Sequence, residues 1–406
     1  MRVLVIGGGA AGCMAASCAA ERGAEVVILE KNPNIGKKLR ITGKGRCNVT
    51  NACDMEGLMQ NIPRGGRFLY SAFSHCLPQD VMDWFEARGV RLKVERGNRV
   101  FPESDQAAEI VETLRRTLDS LGVTIVHDTV TGLACDDRGV TGAVCGPRTY
   151  SADAVILAAG GATYPGTGST GDGFTLAQSV GHTVTPLQPS LVPLETLERD
   201  CAEMMGISLK NVRLTLRRDD RAVFTEMGEM LFTHFGVSGP LVLSASAHWE
   251  QGGRWTLHID LKPALSEEQL DRRIQRDIAA APNKQIPSLI RGLLPAGMAA
   301  PVLGRLQIPA RTPCNAITRE QRHRLVLLLK DFAFTVRGTR PMEEGIVTRG
   351  GVDLREVAPK TMASKIVPGL YLAGELLDCD AYTGGFNLQI AWATGMAAGY
   401  AAAEGR

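Results

Sequence analysis

Three patterns of hydrophobic and polar residues follow one another along this chain of 406 residues, and they predict different structures. Short apolar runs at residues 3–6 and 25–29 are typical of strands buried on both faces of a parallel sheet. Period-two alternation after residue 123, and again between residues 209 and 260, predicts antiparallel strands. From Ser266 onward the apolar residues follow helical spacing, which prolines interrupt to give short helices. The chain is therefore predicted to be an α/β protein with a β-rich part and a helical part.

The first apolar run leads directly into a glycine motif. Gly7, Gly9 and Gly12 have G-x-G-x-x-G spacing and precede a helix of small residues. In such a turn the glycines allow a tight bend, close approach of the backbone to a pyrophosphate, and close packing of helix on strand. The helix N-terminus then points N–H groups and a positive dipole end at the phosphates. This order of strand, glycine turn and helix predicts a dinucleotide site; the alternative is an ordinary βαβ unit without a ligand.

An acidic residue at the end of the second run narrows the choice of nucleotide. Glu30 follows the strand at residues 25–29, close to the separation of about 20 residues at which a carboxylate binds ribose hydroxyls. A carboxylate at this position favours a free 2′-hydroxyl, which predicts FAD or NAD rather than NADP.

Residues 31–51 form a long connection rich in glycine and lysine, without the periodicity of a helix or a strand. A loop of this length inside a compact domain is usually functional. Five cations in its middle part could hold a diphosphate, and the alternative is a solvated basic loop. These cations are Lys37, Lys38, Arg40, Lys44 and Arg46.

A second G-x-G-x-x-G sequence, at Gly166, Gly168 and Gly171, follows Tyr164-Pro165 rather than an apolar strand. It therefore does not predict a second Rossmann site. Instead we expect a glycine loop in which Thr170 or Asp172 caps a helix over residues 173–180. No dedicated nicotinamide-binding domain is recognisable. Val130, directly after a predicted strand, is expected near the adenine.

The changes of pattern suggest the domain boundaries. Residues 1–186 and 345–406 are expected to form a discontinuous FAD-binding domain, residues 187–262 and 312–344 a β-rich substrate domain, and residues 263–311 a helical cap. The segment at residues 228–246 fits neither a helix nor a strand clearly.

Composition excludes several classes of function. Lys and Arg total 45 and Asp and Glu total 43, so the overall charge points to neither a nucleic-acid nor a membrane partner. The ten cysteines are scattered without metal-ligand spacing, which favours reduced thiols and no metal site. The first strand begins at residue 2, which leaves no room for a signal peptide, and the apolar stretch at residues 388–403 is too short for a membrane span. We therefore expect a cytoplasmic protein, and the oligomeric state stays open.

Seven motifs together resemble the BaiN and aminoacetone-oxidase-like group of FAD-dependent oxidoreductases over nearly the whole chain. They are VIGGGAAG (5–12), GKGRCNVTN (43–51), GRFLYSAFS (66–74), RVFPESDQA (99–107), TYPGTGSTGDG (163–173), LFTHFGVSGP (231–240) and TGGFNLQIAWATG (383–395). The resemblance implies a split, glutathione-reductase-like Rossmann domain that holds one FAD, with an inserted β-rich domain and a small helical cap.

The resemblance also implies roles for individual residues. The N-terminal glycines would contact the diphosphate, residues 46–48 would lie near the flavin, and residues 386–388 would contact the isoalloxazine through their backbone. Together with the motif analysis, the expected FAD-binding positions are Gly7, Gly9, Ala11, Gly12, Glu30, Lys31, Lys38, Gly45, Arg46, Cys47, Asn48, Val130, Ala159, Gly160, Thr170, Asp172, Gly374, Glu375, Asp378, Gly385, Phe386, Asn387 and Leu388.

Because the flavin carries the redox chemistry, the protein has to supply position, electrostatics and a proton. The leading hypothesis is hydride transfer between FAD and a small organic substrate. As its most specific form, the resemblance implies an NAD(P)H-linked reductase of a steroid-like or bile-acid-like 3-oxo enone. Tyr382 and His234 are the candidate proton donors, and each could equally be a hydrogen-bonded structural residue. An oxidase of a small amine or aminoketone is the alternative within the same class.

Two further alternatives come from other residues. Cys47 and Cys53 follow the ribose acid roughly where disulfide reductases keep a redox pair, although with a longer spacing. An FAD-containing RNA-modifying or RNA-binding protein is the alternative of another class. Some FAD proteins with a similar N-terminal motif modify tRNA, and basic residues gather between Lys210 and Arg221, although a solvated sheet edge explains these residues better.

Overall fold

A computed structural model of the chain describes residues 1–405 and divides them into two compact units. Unit 1 comprises Met1–Ser190 and the chain from Pro341 onward, and unit 2 comprises Leu191–Arg340. The two junctions expected from the sequence, at residues 186 and 344, lie within a few residues of these limits. Each unit is described by itself below.

The first part of unit 1 contains eleven strands and six helices. The strands are β1 (Arg2–Ile6), β2 (Glu25–Leu29), β3 (Thr50–Asn51), β4 (Leu92–Glu95), β5 (Arg99–Pro102), β6 (Thr124–Val126), β7 (Gly132–Asp136), β8 (Gly139–Cys145), β9 (Arg148–Ser151), β10 (Ala154–Leu157) and β11 (Gln188–Ser190). The helices are α1 (Ala10–Glu21), α2 (Met55–Gln60), α3 (Gly66–His75), α4 (Pro78–Glu86), α5 (Ala107–Ser120) and α6 (Asp172–Ser179).

Unit 2 contains six strands and six helices. The strands are β12 (Leu194–Thr196), β13 (Ser208–Arg218), β14 (Arg221–Phe232), β15 (Gly236–Ser238), β16 (Trp255–Asp260) and β17 (Phe332–Thr339). The helices are α7 (Asp200–Glu203), α8 (Pro240–Ser246), α9 (Glu267–Ala280), α10 (Ile286–Leu293), α11 (Ala299–Leu306) and α12 (Arg319–Lys330).

The chain then returns to unit 1 with β18 (Val347–Arg349), β19 (Leu370–Leu372) and α13 (Phe386–Glu404). Short 3-10 helices lie at Leu39–Gly45, Pro165–Thr167, Ala296–Met298, Cys314–Ala316, Met342–Glu344, Leu354–Glu356 and Gly374–Leu376.

A five-stranded parallel sheet in the order β19-β10-β1-β2-β6 is the core of unit 1. The central strands are buried: α1 and α13, which pack against each other, contact the sheet, and so does β8 of the meander described next. The last strand of the chain thus joins the sheet that the first strand begins, as a split Rossmann domain requires. A three-stranded antiparallel meander, β7-β8-β9, stands beside the sheet and confirms the period-two prediction for this region.

Unit 2 is built on a closed antiparallel barrel in the order β12-β15-β14-β13-β16-β17, in which β17 pairs with β12. Residues 228–246, whose pattern fits neither a helix nor a strand clearly, contain the end of β14, then β15 and α8. The prediction of a sheet edge for residues 210–221 was wrong, because β13 pairs with β14 on one side and with β16 on the other.

Between β16 and β17 lies a run of helices, α9 to α12, which we call the helical insertion (residues 261–331). The sequence analysis ended its helical cap at residue 311, whereas the helices continue through α12 to Lys330. The predicted capping box is confirmed at the start of α9, where Ser266 and Gln269 bond to each other's backbone. Within residues 1–405, no helix is both long and apolar enough to cross a membrane.

Candidate active site

The turn between β1 and α1 accepts only glycine at two of its motif positions. Gly7 has φ +104°, and a Cβ there would lie 2.5 Å from the carbonyl oxygen of Ala158. A Cβ on Gly12 would overlap the carbonyl oxygen of Gly7. At Gly9, by contrast, a Cβ would meet no atom within 4 Å, and Gly9 is the N-cap of α1 without any side-chain cap. The helix N-terminus therefore opens onto space that a diphosphate fits.

Glu30 is buried at the end of β2, and its carboxylate is held from two sides. One oxygen accepts a hydrogen bond from Gly8 N at 2.7 Å, and the other accepts bonds from Asn32 N and Nδ2, both at 2.7 Å. A carboxylate has about four acceptor sites, so the oxygens can still accept bonds from ribose hydroxyls. Glu30 thus both supports the glycine turn and fits a ribose.

Lys31, Thr170 and Asp172 bond to one another. Lys31 Nζ donates to Thr170 Oγ1 at 2.6 Å and also contacts the Asp172 carboxylate, while Thr170 donates to Asp172 at 2.7 Å. Burial opposes ionisation of Asp172, but the hydrogen bonds from Lys31 and Thr170 outweigh it and lower its pKa. The prediction that Thr170 or Asp172 caps α6 was wrong, because Gly171 is the N-cap and no side chain caps this helix. The three residues instead tie the glycine loop to the chain after β2.

Lys38 and Glu375 form a second polar cluster. Lys38 Nζ lies 2.8 Å from Glu375 Oε2 and donates to Thr163 Oγ1 at 2.9 Å. The other oxygen of Glu375 accepts a hydrogen bond from Thr348 N at 2.8 Å. This cluster links the loop after β2 to the chain after β10, to β18 and to the chain after β19.

The loop at residues 42–48 is held by contacts with β4 and β5. Lys44 and Cys47 have φ near +60°, which is unusual for residues other than glycine. The Arg46 guanidinium pairs with Glu95 and with Asp105 (2.7 Å) and lies 4.1 Å from the centre of the Phe101 ring. Arg46 therefore uses its donors within the protein. Its expected role as an FAD contact stays a prediction, and the structure supports a positioning role.

Asn48 is the residue of this loop with an unused acceptor. Its Oδ1 is buried and has no hydrogen-bond partner among residues 1–405. An unsatisfied buried polar atom costs roughly 1–3 kcal/mol, so it is rarely left without a partner unless a ligand supplies one. Asn48 directly precedes Val49 and Thr50, which contact α13.

Gly385 begins α13 with φ +102°, and a Cβ there would overlap the carbonyl oxygen of Thr50. No side chain caps this helix and its first turn, residues 386–388, contains no acid. Asn387 uses its side chain locally, with Oδ1 accepting from Ala381 N and Nδ2 donating to Ala381 O. Any contact of residues 386–388 with a flavin would thus come from backbone N–H groups.

Contacts along α13 hold it against the N-terminal part of the chain. Thr50 Oγ1 donates to Gln389 Oε1 at 2.6 Å, and Trp392 Nε1 donates to Val49 O at 2.9 Å. Further along, Gly395 and Gly399 allow α13 to approach α1, since a Cβ on either would overlap a backbone oxygen of that helix. Two uncapped helix N-termini are therefore fixed within one unit, as an FAD with a diphosphate at one end and a flavin at the other requires.

The remaining expected FAD positions lie along the same edge of the parallel sheet or beside it. Ala159 and Gly160 follow β10, and Gly374 follows β19 with a positive φ that brings it against Ala11. Gly45 ends the 3-10 helix after β2, and Val130 packs on the core after β6.

Sequence reasoning missed a buried ion pair beside the site. Asp380 is 1% exposed, and its carboxylate contacts Arg64 Nη1 at 3.1 Å and accepts a hydrogen bond from Ser190 Oγ at 2.6 Å. Asp378, a predicted FAD contact, accepts a bond from Thr185 Oγ1 at 2.9 Å. In the sequence, the two aspartates at residues 378 and 380 were the only sign of this site. Neighbouring residues could not predict that Asp380 pairs with Arg64, because Arg64 lies 316 residues away in the chain.

The two candidate proton donors lie in different units. Tyr382 is half-buried in unit 1, its backbone N–H bonds Asn61 O at 2.9 Å, and it precedes the glycines that begin α13. His234 is exposed in unit 2, in the turn between β14 and β15, with its ring edge-on to Phe235 at 5.0 Å between centroids.

The cysteines offer no redox pair. All ten are free thiols, and burial raises the pKa of Cys47 to about 12. A disulfide-exchanging thiol needs a lowered pKa, so the disulfide-reductase alternative loses its support. No cluster of three or more potential metal ligands occurs in the described part of the chain.

Comparison with known proteins decides the family. The family model described as HI0933-like protein Rossmann domain matches residues 1–401. The chain belongs to the HI0933-like family. It is thus an FAD-dependent oxidoreductase with a Rossmann-type FAD-binding domain, which confirms the recognition, fold class and enzyme class predicted from the sequence.

Members of the HI0933-like family and one solved structure show how far the similarity extends. The chain is 34% identical over 411 residues to 3-dehydro-bile acid delta(4,6)-reductase of Clostridium scindens, covering 99% of both chains. It is 29% identical to the ribosomal RNA dihydrouridine synthase of Escherichia coli, covering 97% of this chain and 96% of that one. The fold is similar to that of 3-ketosteroid delta1-dehydrogenase from Sterolibacterium denitrificans, with a TM-score of 0.50, 14% identity and coverage of 100% and 99%.

Proposed function

We propose that this HI0933-like oxidoreductase reduces a carbon–carbon double bond conjugated to a carbonyl group. The observation that carries the proposal is the full-length similarity to a reductase of a 3-dehydro-bile acid, at 34% identity. In a 3-oxo-4,6-diene both double bonds are conjugated to the ketone. In uridine, which dihydrouridine synthases reduce, the C5–C6 double bond is likewise conjugated to a carbonyl. One chemistry therefore covers both named relatives.

The reaction adds one hydrogen to the double bond as a hydride and the other as a proton. The carbon β to the carbonyl accepts a hydride and the α-carbon accepts a proton, while NAD(P)H loses the hydride overall and becomes NAD(P)⁺. Bound FAD would supply the hydride chemistry. The protein then has to hold the nucleotide, orient the alkene and deliver the proton.

The residues of unit 1 fit the first of these tasks. The N-terminus of α1 would hold the diphosphate, with Glu30 on the ribose and the Lys38–Glu375 cluster lining the middle of the site. The N-terminus of α13 would stabilise negative charge on the flavin pyrimidine ring, and the unpaired Asn48 Oδ1 would accept a hydrogen bond from the cofactor.

For proton delivery we propose Tyr382 first and His234 second. Tyr382 lies in the loop that leads into α13, the helix proposed to bind the flavin, and its phenol can donate a proton. Substitution Tyr382→Phe should lower turnover at least tenfold while FAD stays bound, and His234→Gln is the parallel test. Unchanged turnover in either variant removes that residue from the mechanism.

The substrate is tested by product analysis. We expect a steroid acid with a 3-oxo-4-ene to gain two hydrogens when incubated with the enzyme and NADH or NADPH. In deuterated water, one deuterium should enter at the α-carbon. A product without mass gain, or oxidation of a small aminoketone with consumption of oxygen, would favour the oxidase alternative.

Uridine in RNA is the second candidate substrate, because the Escherichia coli relative covers nearly the whole chain. The sequence-based prediction of no nucleic-acid partner remains untested, and this relative is the reason to test it. Formation of dihydrouridine in ribosomal RNA from cells that lack the endogenous enzyme would support this candidate, and its absence under conditions where the steroid enone is reduced would reject it.

A further inference from the structure

The helical insertion contains a stretch with positive charge only. Between residues 278 and 318 the chain has one lysine and three arginines and no aspartate or glutamate, and Arg319 follows directly. Positive and negative charges nearly balance over the whole chain, so the overall composition does not show the positive charge of this stretch.

Most of these cations are exposed and unpaired. Lys284, Arg291, Arg311 and Arg319 are exposed, and none lies within ion-pair distance of a carboxylate in the part of the chain that the structure describes. The exception is Arg305, which is half-buried and bonds to Asp200 at 2.6 Å. Four charges are therefore available to a partner in solution.

Backbone contacts bring three of these cations onto one region of the surface. Ile286 N bonds Thr312 O at 2.9 Å and Cys314 N bonds Lys284 O at 2.8 Å, so Lys284 and Arg311 lie on neighbouring segments. Helix α10 begins at Ile286 and buries its apolar side chains, which leaves Arg291 on its exposed face.

The acids around this region do not neutralise it. Glu267, Glu268 and Glu320 are in the first turns of α9 and α12, where they stabilise the helix dipole. Asp271 pairs with Arg322 on α12, and Asp277 lies 3.7 Å from Arg273 on its own helix.

We propose that this basic surface, defined by Lys284, Arg291 and Arg311, binds the phosphate backbone of structured RNA. The inference rests on the second candidate function, reduction of uridine in RNA. Two of the three cations are arginines, whose guanidinium fork matches phosphate oxygens. Residues 256–331 contain no Phe, Tyr or Trp to stack on unpaired bases, which favours duplex over single-stranded RNA.

The test compares two sets of charge reversals in the full-length, FAD-loaded protein. The basic-surface variant carries Lys284→Glu, Arg291→Glu and Arg311→Glu. The matched control carries Arg116→Glu, Arg138→Glu and Lys360→Glu, which reverse three exposed cations of unit 1. Binding is measured by fluorescence polarisation with a labelled RNA hairpin and a single-stranded oligouridylate over a range of salt concentrations.

We expect the wild type to prefer the hairpin. Each phosphate contact on a duplex steepens the fall of log affinity with log salt by about 0.9, so losing three contacts should lower affinity about 500-fold at ~0.1 M salt. The control should change affinity less than about threefold, within the general effect of net charge. Equal losses in both variants, no RNA binding by the wild type, or binding to anionic vesicles but not to RNA would each overturn the proposal.

A second readout separates this inference from the proposed reductase activity. Reduction of the steroid enone should be the same in the basic-surface variant as in the wild type. Enone reduction without RNA binding would overturn the RNA surface and leave the reductase proposal intact. RNA binding that the basic-surface variant loses, in an enzyme without enone reduction, would support the surface and reject the steroid substrate.

Discussion

In unit 1, the region around the contact between α1 and α13, here called the clasp region, differs from the helical insertion of unit 2. The difference lies in the pairing of the charged side chains and in the packing of the helix glycines. In the clasp region, charged groups are paired, as in Lys38 with Glu375 and Arg64 with Asp380, and the helix glycines Gly395 and Gly399 contact backbone. In the helical insertion, by contrast, Lys284, Arg291, Arg311 and Arg319 lie within ion-pair distance of no carboxylate among residues 1–405, and Gly292 and Gly304 face open space. The contacts of the first region thus fix the positions of its charged groups and helices, while the second leaves its charges available for contacts outside the chain.

The largest difference in stability is expected between alanine substitutions at a tightly packed helix glycine and at a solvent-facing one. Gly395→Ala places a methyl group against the backbone of α1, which should destabilise unit 1 by about 3 kcal/mol and weaken FAD retention. Gly304→Ala, within α11, should stabilise the protein by about 0.5 kcal/mol through helix propensity. Chemical unfolding and gel filtration with flavin detection measure both changes. Equal stability of the two variants would contradict the difference between the regions.

The next largest loss of stability is expected when the buried ion pair of Arg64 and Asp380 is broken. Asp380→Ala leaves the Arg64 guanidinium without its buried carboxylate, which should cost about 3 kcal/mol or somewhat less, because Arg64 is partly exposed. The matched change Asp119→Ala removes an exposed i,i+4 partner of Arg115 and should cost below about 0.5 kcal/mol. Thermal unfolding of the two variants compares the costs, and a similar shift in both would show that burial does not matter here.

Within the helical insertion, the paired charges should contribute a pH-dependent stability. The hydrogen bond from Arg322 lowers the pKa of Asp271, so this contribution is fully present above the ordinary aspartate pKa of about 4 and is lost as pH falls through the lowered pKa. Asp271→Asn should therefore destabilise the protein by less than about 1 kcal/mol at pH 7. Unfolding curves of wild type and variant should converge below pH ~4, whereas a constant difference down to pH ~3 would contradict this assignment.

The smallest effect is expected where charges have no partner. Replacing Lys284, Arg291 and Arg311 together by glutamine should change the free energy of unfolding by less than about 0.5 kcal/mol per site. A marked loss of stability would mean that these side chains have structural roles. They would then be unavailable to RNA.

The sequence predicted the parts of the molecule that local rules determine. The strand, glycine turn and helix around Gly7 and Gly12 depend on neighbouring residues, and so does the capping box at Ser266. Closure of the barrel and the partners of Arg46 and Arg64 depend on residues far away in the chain. Their pairing follows from tertiary packing, which periodicity does not encode. The solvated edge inferred for residues 210–221 failed for the same reason.

The central claim is that the two ends of the chain hold one FAD that reduces a conjugated double bond. The most direct measurement is anaerobic reduction of the bound flavin by NADH or NADPH, followed by addition of a 3-oxo-4,6-diene steroid acid or its saturated 3-oxo analogue. We predict that the flavin absorbance returns with the diene and not with the saturated ketone. Recovery only on admission of oxygen, with no response to the diene or to RNA, would contradict the account.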